Sequence, residues 1–525
     1  MGVRALRDLA EGAPEDGAAD VSSRVATRLA VVSAMCLSRQ LFHGIHGKRT
    51  RLTSRVRRSL SRAVSRAGEC VARMPVSRCL TRSACAHADA VRRIRDDIGD
   101  DTQWLAALGA ALLLERASFS ATSQTETTIR TRYARLSGYV ATLPRREANV
   151  VASWPEERRR FLAGTDVERA LRCERSAARR EWEGYVKTRV REAARRDGAS
   201  ETFPTFREYL DARSVVSSRA FLVTDAEGPG LVPIADLFNH RTGGHHVAMR
   251  LLDGGDGGGD ATLVAVVSSR AEKGAEVFNT YGALGNATLL NSYGFTQENN
   301  PEDTVSVSVP DVRAAAAMRG ARGPVVAKRL AACFSSRRAP FQEHALFPLR
   351  KTRSPPNGGS PLEPPTALLV ALWAVTATDE AFASAEREIA GGTAGLGGSG
   401  DPAEEAAAAA ALWRAAAERA EVSGTIFTAA ASEVFLEILD RRRRMYVDVP
   451  EDYREDERND AETGGWRASL RILVESERAV VDAHAAETKR RLAAFRGVVA
   501  DELDDAKRRK TAVVAEAEDP FALFD

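Results

Sequence analysis

The chain has 525 residues, 44% of them hydrophobic and 28% charged, which is enough for about two or three domains with buried cores. Lysine and arginine together number 75 against 72 aspartate and glutamate residues, and a formal charge of +3 does not indicate direct binding to nucleic acid. No segment approaches the roughly 18 uninterrupted apolar residues of a membrane-spanning helix. We therefore expect a globular protein without direct contact to a membrane or to nucleic acid.

The N-terminal segment has an unusual charge distribution. Residues 21–68 contain eleven lysines and arginines and many serines but no acidic residue, a composition typical of organellar transit segments. The four acidic residues at positions 11–20 do not fit that interpretation. We expect residues 1–55 to form a poorly ordered or atypical leader, with a transit segment as the alternative.

Cysteine usage indicates an intracellular protein. The six cysteines show no Cys-x-x-Cys spacing and are too sparse for a secreted disulfide scaffold, so reduced thiols are expected. The expected location is cytoplasmic or nuclear, or the chloroplast if the leader is a transit segment. His240, His245 and His246 do not predict a metal site, because the last two point to opposite faces of a strand and no carboxylate stands at ligand spacing.

The middle of the chain has the short β-branched runs of a small sheet. Strands are predicted at 219–223, 245–252 and 261–269, and a glycine-rich turn joins the last two as a hairpin. Residues 304–310 alternate as a half-buried strand does, and residues 103–118 are apolar at helical spacing. The predicted class is α+β.

The C-terminal part is predicted to be helical. Residues 466–495 carry apolar side chains at helical spacing with charges between them, which is typical of an amphipathic helix. Asp401 followed by Pro402 predicts the start of an alanine-rich helix. Two stretches rich in proline and glycine, 353–365 and 391–402, are predicted to be low-complexity insertions.

Several short blocks in the middle region occur in a recognisable order. Residues 233–240 read Pro-x-x-Asp-x-x-Asn-His, and about forty residues later come Tyr281-Gly282 and, twelve residues beyond, Tyr293-Gly294-Phe295. With Ser-Ser-Arg-Ala-Phe at 217–221 and the Gly-Glu segment at 68–75, these blocks resemble the SET-domain lysine methyltransferases. More narrowly, they resemble the branch typified by the Rubisco large-subunit methyltransferase.

The resemblance implies a fold. It implies a SET-domain β-fold with a pseudoknot over residues 56–310, with a helical insertion around 120–205. An all-α substrate-binding domain would follow over 311–500, and residues 501–525 would form a charged tail. In such a pseudoknot the Asn-His block lies beside the second Tyr-Gly block, so both Tyr-Gly pairs would line one cavity.

The resemblance also implies the roles of single residues. Tyr281 would be the catalytic residue. Seven residues would bind S-adenosylmethionine: Arg219, Asp236, Asn239, His240, Tyr293, Gly294 and Phe295. Within this set the Arg219 guanidinium would pair with the cofactor carboxylate, and the Asn239 amide would reach its amino end.

Each of these residue types also has an ordinary structural explanation. An aromatic residue at a strand end, such as Tyr281 or Tyr293, is typical of a core. An Asn-His pair such as Asn239-His240 is typical of a turn that caps backbone groups. An arginine such as Arg219 is commonly an ordinary surface charge. Only the joint occurrence of the blocks favours a functional site.

Methyl transfer from a sulfonium to an amine needs alignment of the reacting atoms and exclusion of water, but no acid for the leaving group. A lysine amine has a pKa near 10.4, so presenting it neutral at pH 7 costs about 4.6 kcal/mol unless the site lowers that pKa. A phenol has a pKa of about 10, so Tyr281 is a poor base and is better suited to orienting the amine.

One departure from the family leaves a second function open. The family carries a Gly-x-Gly loop ahead of its Gly-Glu segment, whereas residues 57–67 contain no glycine. We expect an S-adenosylmethionine-dependent methyltransferase for a lysine of a non-histone protein. The alternatives are a weak or inactive SET-like protein-binding module and a histidine methyltransferase of the same branch. The protein substrate is expected to dock on the C-terminal helical domain, and the chain to be a monomer.

Overall fold

The computed structural model describes residues 67–85, 87–98, 103–120, 136, 138–196, 204–252, 260–272, 276–334, 345–351, 362–392, 402–450 and 465–517. The predicted leader, the turn at Gly274 and most of both low-complexity insertions lie outside these residues. The chain divides into two compact units, the first within Met1–Leu162, Val167–Asn300 and Asp448–Ile472, the second within Ala163–Asp166, Pro301–Val447 and Leu473–Asp525.

The strands of the first unit form three small sheets. They are β1 (Cys70–Pro75), β2 (Ala220–Thr224), β3 (Gly228–Leu231), β4 (Asn239–His240), β5 (Val247–Leu252), β6 (Thr262–Val267) and β7 (Phe278–Asn279). β1, β6 and β5 form an antiparallel sheet in that order, β2 pairs antiparallel with β3, and β4 pairs in parallel with β7. The strands predicted at 219–223, 245–252 and 261–269 and their hairpin are confirmed.

The helices of the first unit form its larger apolar core. The five longest are α1 (Ala88–Ile98), α2 (Gln103–Ser120), α3 (Asp166–Glu181, in this unit from Val167), α4 (Lys187–Arg196) and α5 (Phe206–Arg219), with a π-helical turn, Trp182–Val186, between α3 and α4. α5 crosses α2 closely at Gly109, where an added Cβ would lie 3.1 Å from the Cγ atom of Arg213. The helix predicted at 103–118 is confirmed.

The two ends of α5 are defined by local sequence. At its start the Glu208 backbone N–H donates to Thr205 Oγ1 at 3.2 Å, and the Thr205 N–H donates to the Glu208 carboxylate at 2.9 Å. This reciprocal capping box satisfies two N–H groups that a helix start leaves unpaired. At the end of the helix, Ala220 has an extended backbone conformation and begins β2. Arg219 therefore lies at the junction of helix and sheet.

A strained turn precedes the Asn-His block. Ile234 has φ 72° and ψ −47°, and the Ala235 N–H donates to the Pro233 carbonyl at 2.8 Å. This is the γ-turn geometry that β-branched residues rarely adopt. The Ile234 side chain packs against the apolar cluster that contains Val223 and Val232, and this packing holds the turn.

The second unit is mainly helical. Its elements are β8 (Thr304–Ser308), α6 (Val309–Met318), α7 (Gly323–Phe334), β9 (Leu346–Arg350), α8 (Thr366–Thr376), α9 (Asp379–Gly392), α10 (Pro402–Ala420), α11 (Ala429–Met445) and the part of α12 (Trp466–Ala517) from Leu473 onward. β8 and β9 pair antiparallel. The predicted strand at 304–310 and the helices beginning at Pro402 and Trp466 are confirmed. None of the helices in the described ranges is both long and apolar enough to cross a membrane.

Candidate active site

The two sequence blocks meet through the parallel pair β4–β7. Asn239 lies opposite Phe278 and His240 opposite Asn279. Two residues further on, the Thr242 N–H donates to the side-chain oxygen of Gln297 at 3.3 Å, which ties the first block to the residues after the second Tyr-Gly pair. Segments 239–242, 278–281 and 293–297 therefore converge, as the resemblance implied.

Aromatic rings from both blocks stack beside the Asn-His pair. The ring centroid of Tyr281 lies 5.0 Å from that of His240 and 4.7 Å from that of Tyr293. Phe295 lies 6.2 Å from His240, and the Tyr281 hydroxyl donates to the Phe238 carbonyl at 2.7 Å. The two tyrosines of the Tyr-Gly pairs therefore face each other in one cluster, with the Tyr281 hydroxyl next to the Asn-His block.

The His240 ring holds the backbone of Tyr281. Its Nδ1 accepts the Tyr281 N–H at 2.9 Å, so the ring proton is on Nε2, which donates to Thr242 Oγ1 at 2.9 Å. Burial and, secondarily, the nearby charge of His245 lower the pKa of His240 to about 4. His240 is therefore neutral at pH 7 and acts as a hydrogen-bond acceptor that positions Tyr281.

This arrangement predicts a pH-dependent stability. The His240 pKa is about 6.5 in the unfolded chain and about 4 in the folded one, so acidification below pH 6.5 protonates the unfolded chain first. From pH 6.5 to 4 the free energy of unfolding should fall by about 3 kcal/mol more in the wild type than in His240→Asn, whose amide oxygen replaces Nδ1. Urea unfolding at a series of pH values measures this. If the free energies of unfolding of the wild type and of His240→Asn fall in parallel with pH, His240 protonates in the folded protein without a free-energy cost.

Arg219 lies between two carboxylates. Its Nη1 donates to Asp236 at 3.0 Å and its Nε to Glu147 at 2.5 Å, and only 6% of its surface is exposed. Asp236 is also 6% exposed. Because both carboxylates are close and the guanidinium is buried, Arg219 joins α5 and the segment before β4 to the loop of Glu147. It is not a surface charge.

The Asn239 amide faces a carboxylate. Its Nδ2 donates to Glu276 Oε1 at 2.5 Å, and Glu276 lies two residues before β7. The amide and the carboxylate together present oxygen acceptors at the edge of the β4–β7 pair. This arrangement is suited to a cationic amino group.

The glycine of the second Tyr-Gly pair is required by a close backbone approach. The helical residues Asn286–Thr288 continue as a π-helical turn, Leu289–Tyr293, that ends at Gly294 with φ 80° and ψ 25°. A Cβ at Gly294 would lie 2.6 Å from the carbonyl carbon of Asn149. At Gly282 the φ of 120° is unfavourable for other residues, although the nearest atom to an added Cβ is 3.8 Å away.

Asn286 fixes the turn beyond Tyr293. Its Nδ2 donates to the Gln297 carbonyl at 2.9 Å, its Oδ1 accepts the Gln297 N–H at 2.7 Å, and the residue is 1% exposed. These two bonds satisfy backbone groups of a segment that is not itself part of a strand. Asn286 therefore holds Phe295 and Gln297 near His240 and Thr242.

His246 also serves the backbone of this region. Its Nδ1 accepts the Phe278 N–H at 3.1 Å, and burial lowers its pKa. Within the described ranges no group of three or more His, Cys, Asp or Glu side chains is arranged to hold a metal ion.

Sequence reasoning missed four polar residues of the site. Glu147 and Glu276 pair with Arg219 and Asn239 across 72 and 37 residues of sequence, and no local spacing signals such contacts. The same is true of Gln297. Asn279 is 1% exposed, and neither atom of its amide has a hydrogen-bond partner among the described residues. Asn279 directly follows Val277 and Phe278 in the sequence, and an amide buried there requires hydrogen-bond partners.

No protein-family model matches the chain. Among curated proteins it is 30% identical over 175 residues to rat N-lysine methyltransferase SETD6, a match that covers 31% of this chain and 35% of that protein. It is 34% identical over 110 residues to the ribosomal lysine N-methyltransferase set10 of Schizosaccharomyces pombe, covering 20% of this chain and 19% of that protein. The chain thus matches about a third or less of the length of these relatives.

The fold has a counterpart among solved structures. A crystal structure of the SET domain of LSMT bound to methyllysine and AdoHcy superimposes with a TM-score of 0.51 and 16% identity, covering 82% of this chain and 84% of that one. The chain therefore has the fold of that SET-domain structure.

Proposed function

We propose that this chain is an S-adenosylmethionine-dependent protein methyltransferase that modifies a lysine side chain of a non-histone protein. The observation that carries the proposal is the Tyr281 hydroxyl, which the Phe238 carbonyl holds at 2.7 Å beside the Asn-His block, while the rings of His240 and Tyr293 both stack on the Tyr281 ring. The names of the rat and yeast relatives, and the methyllysine and AdoHcy in the LSMT structure, support the same chemistry here.

The residues of the site fit S-adenosylmethionine. That cofactor supplies, when bound, an electrophilic methyl group on a sulfonium. Tyr293 and Phe295, whose rings meet edge to face, offer aromatic surface that suits an adenine and also attracts a cation. The Asn239–Glu276 pair offers acceptors for an α-amino group. Arg219 would meet the cofactor carboxylate as its third acidic partner, so that carboxylate would have to share the guanidinium with Asp236 and Glu147.

Tyr281 would orient the acceptor amine. Because its hydroxyl proton is directed to the Phe238 carbonyl, its oxygen presents lone pairs and accepts an N–H of the substrate. A phenolate there would face the carbonyl oxygen at 2.7 Å without a proton between them, which disfavours a role as general base. In this proposal the rings of Tyr281, Tyr293 and Phe295 would exclude water from the reacting atoms, and the same desolvation would lower the pKa of the incoming amine.

Replacing Asn239 tests the cofactor site. Asn239→Ala removes the amide that holds Glu276 in place, and we expect the affinity for S-adenosylmethionine to fall about tenfold, the effect of losing one charge-assisted hydrogen bond. Turnover at saturating cofactor should change much less. Calorimetric titration gives the affinity, and urea unfolding of the same sample shows whether the fold is retained. An unchanged affinity in a folded variant would remove Asn239 from the cofactor site.

The function itself is tested with the purified full chain. Titration with S-adenosylmethionine should give saturable binding, and incubation with a host-cell lysate and labelled cofactor should label protein. Mass spectrometry of the labelled peptides identifies lysine or histidine as the acceptor and the number of methyl groups. No binding up to about 1 mM, where affinity is only about 4 kcal/mol, would favour the binding-module alternative. If the labelled residue is histidine, the proposed methyl acceptor changes from lysine to histidine.

We also propose that the protein substrate docks on the second unit and that the chain acts as a monomer in the cytoplasm or nucleus, or in the chloroplast if the leader is a transit segment. The mainly helical second unit and its counterpart in the LSMT fold support this placement. Light scattering of the purified chain measures its mass, and cross-linking to a labelled substrate identifies the docking surface.

A further inference from the structure

A cavity lies in the first unit, beside the candidate active site. It measures about 490 Å³ including space open to solvent, and α2, α3, α5 and the π-helical turn Leu289–Tyr293 surround it. Its lining includes Asn291 and Ser292, the two residues before Tyr293, and Ser217, two residues before Arg219. The cavity therefore shares its wall elements with the site but contains none of the residues assigned to the reaction.

One acceptor in the polar lining of this cavity lacks a hydrogen-bond donor. Asn291 is 7% exposed, and its Nδ2 donates to Glu174 Oε1 at 2.7 Å. The Asn291 Oδ1 is buried and has no partner among the described residues. A buried acceptor without a donor is costly, and a ligand that brings a donor removes that cost. Asn291 and Glu174 both line the cavity, and each contributes a side-chain oxygen acceptor to this part of its wall.

Charge at the cavity favours a cation over an anion. The Arg213 guanidinium is already paired with Glu181, which also accepts from the Tyr209 hydroxyl at 2.9 Å. Arg175 lines the cavity as well, but its side chain is exposed and can turn toward solvent. An anion here would face the Glu174 carboxylate and the Asn291 oxygen, two groups that repel it.

We propose that this cavity binds a lysine or arginine side chain of the substrate protein at a fixed offset from the methylated residue. The Glu174 carboxylate would take its charge, and Asn291 Oδ1 would accept one of its N–H groups. This inference rests on the proposed function, because it concerns the sequence around the acceptor residue. Glu174 and Asn291 would then be specificity-determining residues.

The cost of keeping Glu174 charged supports this assignment. Although Glu174 is exposed as a residue, desolvation of its carboxylate raises its pKa, and the Asn291 hydrogen bond and the charge of Arg213 only partly oppose this. A cation in the cavity would offset the desolvation. The free protein therefore has an incompletely compensated carboxylate at the place where a substrate cation would bind.

Peptide selection with the full chain tests the inference without relying on turnover. A randomised peptide library with a central lysine is passed over immobilised protein in the presence of S-adenosylhomocysteine, and the retained peptides are sequenced. We expect enrichment of lysine or arginine at one flanking position. Glu174→Gln should reduce that enrichment about fivefold, the effect of one partly exposed charge pair. Glu174→Lys should shift the preference at that position to aspartate or glutamate.

The matched control is Glu183→Gln. Glu183 lies in the π-helical turn after α3, and its exposed carboxylate pairs with Lys187. This substitution should leave the enrichment unchanged. Retention without a charge preference, or a preference that Glu174→Gln and Glu174→Lys leave intact, would overturn the inference while the methyltransferase proposal stands. Failure to bind S-adenosylmethionine would instead contradict the proposed function, and the peptide selection would still report on the cavity.

Discussion

Replacing Gly294 with alanine should destabilise the first unit by about 3 kcal/mol, the combined cost of a left-handed backbone for alanine and of overpacking. The new Cβ would lie 2.6 Å from the Asn149 carbonyl carbon and 2.8 Å from its oxygen, and backbone atoms cannot turn aside as a side chain does. The turn that places Tyr293 against Tyr281 would have to move. Urea unfolding followed by tryptophan fluorescence measures the loss.

Gly228→Ala is the matched control for this substitution. Gly228 lies in the same unit and has a similar φ of 71°, but an added Cβ would meet no atom within 4 Å. It should therefore cost only the backbone strain, about 1 kcal/mol. Equal losses in the two variants would mean that the Asn149 loop yields to the new methyl group and that Gly294 is needed for its φ alone.

The parts of the fold that the sequence predicts are those with a local pattern. β5 and β6 are each six residues long, and alternation with a glycine-rich connection predicts their hairpin. β4 and β7 are two residues each, so no periodicity exists to predict them or their parallel pairing. Only the order of the Asn-His and Tyr-Gly blocks, through the resemblance, predicted that these segments meet.

The polar partners of the site show the same limit. Asn239 and Arg219 were assigned to the site from the blocks that contain them. Their carboxylate partners, Glu276 and Glu147, belong to no motif. The strained φ of Ile234 has no local signal either, because isoleucine disfavours that conformation and only tertiary packing maintains it. Which residue types serve the site was predictable, but how their charges are balanced was not.

The substitution Tyr281→Phe should lower kcat/KM for methyl transfer about a hundredfold, the usual effect of deleting one preorganised hydrogen-bonding group at a reacting centre. The phenyl ring keeps the stacking on His240 and Tyr293, and the Tyr281 N–H still donates to His240. The affinity for S-adenosylmethionine should therefore remain near that of the wild type. Tyr185→Phe, at an exposed tyrosine of the π-helical turn before α4, should leave both quantities unchanged.

The pH dependence of the rate distinguishes orientation from base catalysis. If Tyr281 orients the amine, the inflection of the pH–rate profile belongs to the substrate amine and persists in Tyr281→Phe at a lower plateau. If Tyr281 were the base, the wild-type rate would rise with the phenol ionisation, and that inflection would disappear in the variant. Because the hydroxyl proton is directed to the Phe238 carbonyl at 2.7 Å, losing it would leave two oxygens in contact without a hydrogen bond. We therefore expect the inflection to persist, and full activity in Tyr281→Phe would remove this residue from the mechanism.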